Sequence, residues 1–419
     1  MTLAMLRPAP WGLPGVAVSS HDAAPRPDRL IAAGSQLLAG IDDDTRWWRE
    51  HLRMLGPLPS LDVEALAAAA EAADLRGHGG AAFPTAVKLR AMRDPKPAAI
   101  VVNASEGEPA SAKDGALLRH VPHLVLDGAA LASDALGAGA VIVRVSSDRP
   151  DLPAVVQAAV AERHLGPRVR MSVGPATFVS GEASAVVNAL AGRPPLPSSL
   201  GRPPRLPSRL RRPGRPVLVS NVETFARLAL AARGISPTSA LMTLSGAVER
   251  AGVLELPTSA TVIDAITAAG PTESLAGVVS GGWHGRWLEW TDRVARAPLS
   301  REGLGAVGGR WGAGVLVALP SSTCPLTLVA AAARTLADST AGQCGPCRAG
   351  LPFAADELAQ ASVLPHPGPA LVAASDALDA VRGRGLCAHP TASAEALDSA
   401  LAWARRDIEM HRCGQCLAG

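Results

Sequence analysis

The sequence predicts an α/β chain: a layered α/β unit, then a small β-rich unit, then a helical C-terminal bundle. Three observations carry this. The apolar, β-branched runs "AAIVVNA" (98–104), "AVIVRVS" (140–146) and "RVRMSV" (168–173) alternate with helical stretches, as in strands covered by helices. Residues 241–320 are dense in short strand-like runs and Gly turns, as in "TLSGAVERAGVLELPTSATVIDAI". From 325 onward the pattern is helical, and five of the six cysteines lie beyond position 340.

In chain order, residues 1–55 are poorly patterned and are expected to be an N-terminal extension. Residues 56–236 hold the α/β unit, opened by a helix over "SLDVEALAAAAEAADLR" (60–76) with an Asp near its start. This runs into the Gly-rich "RGHGGAAFPTAVKLR" and a further helix. "GRPPRLPSRLRRPGRP" (201–216) breaks all periodicity and reads as an extended loop. The β-rich unit then occupies 237–320 and the helical unit 321–419.

Bulk properties narrow the function. The 419 residues suffice for several cores, and 48% hydrophobic with 18% charged residues suits a soluble globular protein. A net charge of +3 gives no case for nucleic acid. Asp127 and Asp134 interrupt the best apolar run, so no membrane insertion is expected. The proline-broken N-terminus does not resemble a signal peptide. Late, clustered cysteines suit metal binding in a reducing compartment, which predicts a cytoplasmic protein. The chain has only three Lys (Lys88, Lys96, Lys113), three Asn (Asn103, Asn188, Asn221) and no Tyr. A Lys or Asn is therefore unusually informative here, and four of those six fall in three motifs.

The first motif is 76–88. Glycines let backbone amides approach an anion, a helix start adds partial positive charge, and Lys88 can add a full one. A plain tight turn is the alternative. The second is "NASEGEPASAKD" (103–114), a polar edge directly after a strand, suited to a heterocycle or ribose, or else a solvated loop. The third is "SNVETFA" (220–226), which places an Asn and a Thr after the strand-like "PVLV".

Together "GGAAFPTAVK", "NASEGEPASAKD", "SGEASAV" (180–186), "SNVETF" and "AGQCGPCR" keep one order. In that order they resemble the NADH-binding flavoprotein subunit of respiratory complex I and the related diaphorase subunits of hydrogenases and formate dehydrogenases. The resemblance runs from about 55 to 400. It implies a Rossmann-like FMN-binding α/β domain, a β-grasp (SLBB-like) domain matched by "SGAVERAGVLELP", and a helical bundle carrying a [4Fe–4S] cluster. Gly77, Gly79, Gly80 and Lys88 would hold the FMN phosphate and ribityl chain, with Phe83 beside them. Asn103, Ser105 and Glu106 would line the ring system, and Gly181, Glu182, Ser220, Asn221 and Thr224 would close the pocket. Glu106 and Glu182 are the carboxylates this reading places in the chemistry. A flavin takes a hydride as an electron pair and releases electrons singly, so a cluster beside it is the fitting acceptor. The resemblance implies NAD(P)H or a substitute such as a ferredoxin as donor. It also implies a ferredoxin-like or iron–sulfur subunit as partner, and docking to a membrane complex is compatible with it.

The chain departs from the family pattern at several positions. Ala183 replaces a Glu, Ala112 an aromatic residue, and Arg202 and Arg205 replace a Lys and a Phe, so NADH turnover is expected to be weak. The run Arg202, Arg205, Arg209, Arg211, Arg212, Arg215 could grip the extra phosphate of NADPH, dock an acidic carrier, or be a solvated loop. Ala341 stands where the family has its first cluster cysteine. Cys344, Cys347 and Cys387 fill the other places, and the terminal "HRCGQCLAG" offers Cys416, or Cys413, as the fourth ligand. The alternatives are a three-iron cluster or a non-cysteine ligand such as His389 or His411. The rival is a non-catalytic scaffold with structural zinc on Cys344, Cys347, Cys413 and Cys416. Cys324 is expected to be a small core residue.

Overall fold

The computed structural model describes residues 30–32, 36–39, 47–165, 168–198, 215–364 and 366–418. The expected α/β architecture is present. A short strand β1 (Leu30–Ala32) is followed by helices α1 (Trp48–Leu55), α2 (Val63–Ala72) and α3 (Thr85–Ala91). Then come β2 (Ala99–Ala104), α4 (Lys113–His120), α5 (Pro122–Leu136), β3 (Val141–Ser146), α6 (Leu152–Glu162) and β4 (Val169–Gly174). Helix α7 (Ala183–Leu190), β5 (Val217–Asn221) and α8 (Val222–Ala231) complete this layer.

Strands β2 to β5 form one parallel sheet in the order β4-β3-β2-β5. The central strands β2 and β3 are buried along nearly their whole length. This is why they read as unbroken apolar runs rather than alternating ones. Local signals set the helix starts. Asp62 accepts a hydrogen bond from Ala65 N to begin α2, and Asn221 accepts one from Glu223 N to begin α8. Gly137, in the left-handed conformation, ends α5.

A second, six-stranded sheet comprises β6 (Ser239–Gly246), β7 (Gly252–Pro257), β8 (Leu275–Ser280), β9 (Arg286–Glu289) and β10 (Val315–Pro320), with β1 at its edge. Helix α9 (Val262–Ala269), opened by a Thr261–Asp264 capping box, packs on it, with short helices α10 (Asp292–Ala295) and α11 (Arg301–Ala306) beside it. Part of the segment expected to be an unpatterned extension therefore belongs to this sheet. Strand β1 pairs in parallel with β7, and the buried Glu255 on β7 accepts the amides of Leu37 and Leu38. Three residues are too short a strand for periodicity to register.

The C-terminal part is a bundle of α12 (Pro325–Asp338), α13 (Leu351–Ala361), α14 (Gly368–Val381), α15 (His389–Trp403) and α16 (Arg405–His411). It docks on the second sheet through Trp403, whose Nε1 donates to Ala276 O at 3.3 Å and whose ring lies 5.1 Å from that of Trp287. No described helix is long and apolar enough to cross a membrane.

Candidate active site

Chain order runs β2, β3, β4 to one side of the parallel sheet, then returns so that β5 flanks β2 on the other. A crevice opens at such a switch point, beyond the carboxyl ends of the two strands. Asn103 on β2 and Asn221 on β5 are register partners at that edge. Two of the three asparagines in the chain thus stand side by side at the crevice.

The crevice is one wall of a cavity of about 410 Å³, within the usual range for cofactor sites. Its other walls are the 178–182 turn, the Gly281–His284 loop and Arg310–Ala313 of the second sheet, and Cys387–Ala392 of the bundle. Of the residues expected to bind cofactor, Gly79, Gly80, Asn103, Glu106, Gly181, Glu182 and Asn221 line it. Gly77, Phe83, Lys88, Ser105, Ser220 and Thr224 do not. Phe83 is 52% exposed. Thr224 Oγ1 accepts the His78 amide at 3.0 Å, and so shapes the loop from behind. Ser105 Oγ is buried behind Gly181 and has no hydrogen-bond partner among the described residues.

Lys88, expected to meet a phosphate, instead turns into the sheet. Its Nζ donates to Val219 O and lies 3.4 Å from Ser220 Oγ, and burial pushes its pKa down to about 8. Helix α3 presents Lys88 to the end of β5, where a carbonyl and a hydroxyl hold it.

The two carboxylates expected to act in chemistry, Glu106 and Glu182, are committed to helix starts. Glu106, at a left-handed φ of 37°, accepts from Ser111 Oγ, Asp114 N and Gly115 N and faces Arg149 at 3.3 Å. It therefore caps α4. Glu182 accepts from Ser184 N and Ala185 N and caps α7. Sequence reasoning passed over a third carboxylate at the same cavity, Glu108. Glu108 lines the cavity, accepts Trp283 N at 2.9 Å, and is pushed up to about 7 by burial.

Beneath the cavity lies a buried ionic network that was legible only as "K-D" and "N-V-E-T". Lys113 Nζ meets Asp114 Oδ1 at 2.7 Å, Glu223 Oε2 at 3.1 Å and Asn221 Oδ1 at 3.2 Å. Arg227 Nε donates to Glu223 Oε1 at 2.8 Å. Lys113, Arg149 and Arg227 balance Glu106, Asp114 and Glu223, so buried charge is paired throughout. His78 Nδ1 lies 3.0 Å from Glu223 Oε1. Burial pushes its pKa down to about 4, which keeps the imidazole neutral beside that carboxylate.

Phe178, His284 and His389 form an aromatic corner of the same cavity, with Phe178 edge-on to both rings at 4.8 and 5.4 Å. His389 Nε2 donates to Leu336 O, which leaves Nδ1 to accept from His284 Nε2 at 3.1 Å. Burial holds His284 down at about 3 and lowers His389. Phe178 is one of only four Phe in the chain. That scarcity was the signal available for it.

Cys344 and Cys347 Sγ lie 3.5 Å apart after the end of α12, and Cys387 is close enough to both to influence their charge. Burial pushes Cys347 up to about 12 and raises Cys387; at Cys344 burial is outweighed by amides of Leu386 and Cys347. The backbone at Leu386, Ala341 and His389 works against burial at Cys344, Cys347 and Cys387 respectively, lowering each pKa. Converging soft donors with oriented amides fit an iron–sulfur cluster. Cys387 also lines the cavity.

Cys416 does not join them, which corrects the expected ligand set. It gathers with Cys324, Asp407 and His411 at the first turn of α12. Cys387 and His389 sit instead at the last turn of that helix, where Leu336 is held. Leu326 and Leu336 are separated by about 15 Å along a helix. The same geometry removes the four-cysteine zinc site, because the Cys344–Cys347 pair and Cys416 lie at opposite ends of α12. It also removes both histidine alternatives: His389 has both nitrogens engaged, and His411 is at the far end. Cys324 is a member of the second cluster rather than a mere filler. Arg202, Arg205, Arg209, Arg211 and Arg212 lie outside the described residues.

The family profile of the Nuo51 FMN-binding domain matches residues 70–230, and that of the NADH-ubiquinone oxidoreductase-F iron-sulfur binding region matches 327–411. The NADH-quinone oxidoreductase F subunit of Streptomyces coelicolor is 28% identical over 93% of this chain and 93% of its own length. The Mycobacterium tuberculosis protein of that name is 30% identical over 66% of this chain and 68% of its own. A crystal structure of an NAD+-reducing [NiFe]-hydrogenase superposes with a TM-score of 0.75 at 26% identity, covering 93% of this chain and 68% of the other.

Proposed function

The chain belongs to the family of NADH-quinone oxidoreductase F subunits, and on that premise we propose how its own residues divide the work. It is a flavin- and iron–sulfur-dependent oxidoreductase subunit that passes electrons from a reduced nicotinamide nucleotide to a partner redox subunit. FMN supplies the exchange of an electron pair for single electrons. We assign its site to the cavity, where Gly79, Gly80, Gly107 and Gly181 let backbone approach a planar ring and Asn103 and Asn221 set the rim. The buried network holds Asn221 in place, and Asn103 Nδ2 ties the far wall through Gly181 O at 2.8 Å. Cys344, Cys347 and Cys387 supply three cluster thiolates, leaving one corner without a cysteine.

The observation that carries this reading is that Cys387 lines the same cavity as Asn103 and Asn221. One residue is thus shared by the flavin wall and the thiol cluster, so electrons need cross no intervening layer. Cys387→Ser should retain FMN, because the other walls are intact, but lose the low-temperature paramagnetic signal of the reduced cluster. Loss of flavin with an unchanged iron signal would invert the assignment.

The replacements expected to weaken nucleotide binding divide. Ala112 is buried with its amide donated to Thr243 Oγ1 and does not reach the cavity. Ala183 follows Glu182 at the rim, and Arg205 lies outside the described residues. We retain a weak NADH site on Ala183 and Arg205 alone. An NADH–dye reductase Michaelis constant at the micromolar end of the usual range would count against it. A cytoplasmic location is part of this proposal, supported by six cysteines of which none is paired in a disulfide.

A further inference from the structure

We propose that Cys324, Asp407, His411 and Cys416 form a second metal site, distinct from the cluster thiols, that takes one tetrahedral zinc ion. The four donor atoms lie within 4.8 Å of one another. Cys324 Sγ is 3.3 Å from Asp407 Oδ2 and 3.4 Å from His411 Nε2, and His411 Nε2 is 3.5 Å from Asp407 Oδ2. Zinc bonds of about 2.0–2.3 Å at tetrahedral angles require donor–donor edges of roughly 3.3–3.8 Å. The three edges meet that requirement with no ion to impose it.

Local structure explains how the donors converge. Asp407 and His411 are four residues apart on α16 and share a face. Cys324 immediately precedes α12, and Cys416 follows α16 in a turn that comes back on the bundle. Asp407 is fully buried, and its only ion-pair partner among the described residues is His411. Among the described residues no Lys or Arg pairs with this buried carboxylate, which faces two sulfurs and an imidazole, and a bound metal supplies a fixed positive charge. Its two oxygens are already oriented, Oδ1 by Leu417 N at 2.9 Å and Oδ2 by Leu326 N at 3.2 Å, as outer hydrogen bonds orient ligands in metal sites. Two sulfurs, one nitrogen and one oxygen select zinc over magnesium or calcium.

All four corners are filled by protein, the mark of a structural site rather than a catalytic one. It sits at the end of α12 remote from Cys387, outside the path proposed for electrons, and does not depend on the flavin reading. Its effect is to clip the segment after α16 to the start of α12, closing a long chain segment that is otherwise joined there by hydrogen bonds and by Ile408 packed beside Leu326.

The test is metal analysis of the full chain purified without oxygen, with and without supplied zinc, together with cobalt substitution. The parent should hold one zinc per chain in addition to its iron, and cobalt should give the visible ligand-field bands of a tetrahedral thiolate site. Cys324→Ser with Cys416→Ser should lose at least tenfold in zinc with iron unchanged, whereas Cys413→Ser should keep both. His411→Asn is the milder variant if that pair does not fold, and should weaken zinc retention at least tenfold. Several results overturn the proposal. These are no zinc and no tetrahedral cobalt spectrum in the parent, zinc retained in both ligand variants, or zinc lost in Cys344→Ser but not in Cys324→Ser. Iron lost in Cys416→Ser would return the tail to the cluster.

Discussion

Glu108 accepts amides from Trp283 and Ala110, yet burial raises its carboxyl to about 7. Its folded pKa lies above the ordinary value, so its charge opposes folding. That opposition is absent at low pH, grows as pH rises from the ordinary carboxylate range, and is complete above about 7. The full penalty is on the order of 3 kcal/mol. Glu108→Gln should therefore gain most of that relative to the parent between pH 5 and pH 8 in urea unfolding. An equal difference at both pH values would show that Glu108 is not desolvated. Lys113 makes the opposite case. Lys113→Met strands Asp114 and Glu223 without their shared cation and should cost about 3–5 kcal/mol. Adding Asp114→Asn should recover part of the loss, because one of the stranded charges goes with it.

At the scale of elements, the contact between α5 and α8 decides whether the parallel sheet is covered. It depends on Gly128, where an added Cβ would overlap the backbone carbonyl of Phe225. Gly128→Ala should cost about 3 kcal/mol or more in equilibrium unfolding, since two helix backbones must separate. A neutral result would mean that the helices slide freely. The elements differ in how legible they were. Strands β2 and β3 were readable because burial on both faces leaves an apolar run, and Asn103 and Asn221 stood out because asparagine is rare here. The direction of Lys88 was not readable: residue type says that a cation is present, and only the tilt of α3 toward Val219 says where it points. The partner of Cys416 was equally hidden. Spacing counts thiols, but only the fold decides which end of α12 the tail meets. The one local clue was the Asp407–His411 interval on a single helical face.

At the scale of the whole molecule, the parallel sheet, the second sheet and the bundle converge on one cavity, and the bundle is fastened to the second sheet by Trp287, Trp403 and Arg286, whose Nη1 donates to Glu395 O at 2.7 Å. A ligand there should stabilise all three together. FMN at a hundredfold excess over its dissociation constant should add about 2.7 kcal/mol. Tryptophan fluorescence from Trp287 and Trp403 should then shift to the same new midpoint as flavin release. Two separate midpoints would mean that the bundle melts independently of the cavity. The same convergence imposes a schedule on biosynthesis. The first wall leaves the ribosome with His78 and Gly79, the last with Cys387 to Ala392. At about 5–20 residues per second those events are separated by on the order of tens of seconds. The nascent parallel sheet can thus form long before anything covers its crevice, and no flavin can be enclosed, nor any cluster assembled beside it, until translation is nearly over. Loading of both groups is a task for the finished polypeptide, and prematurely terminated chains should accumulate colourless.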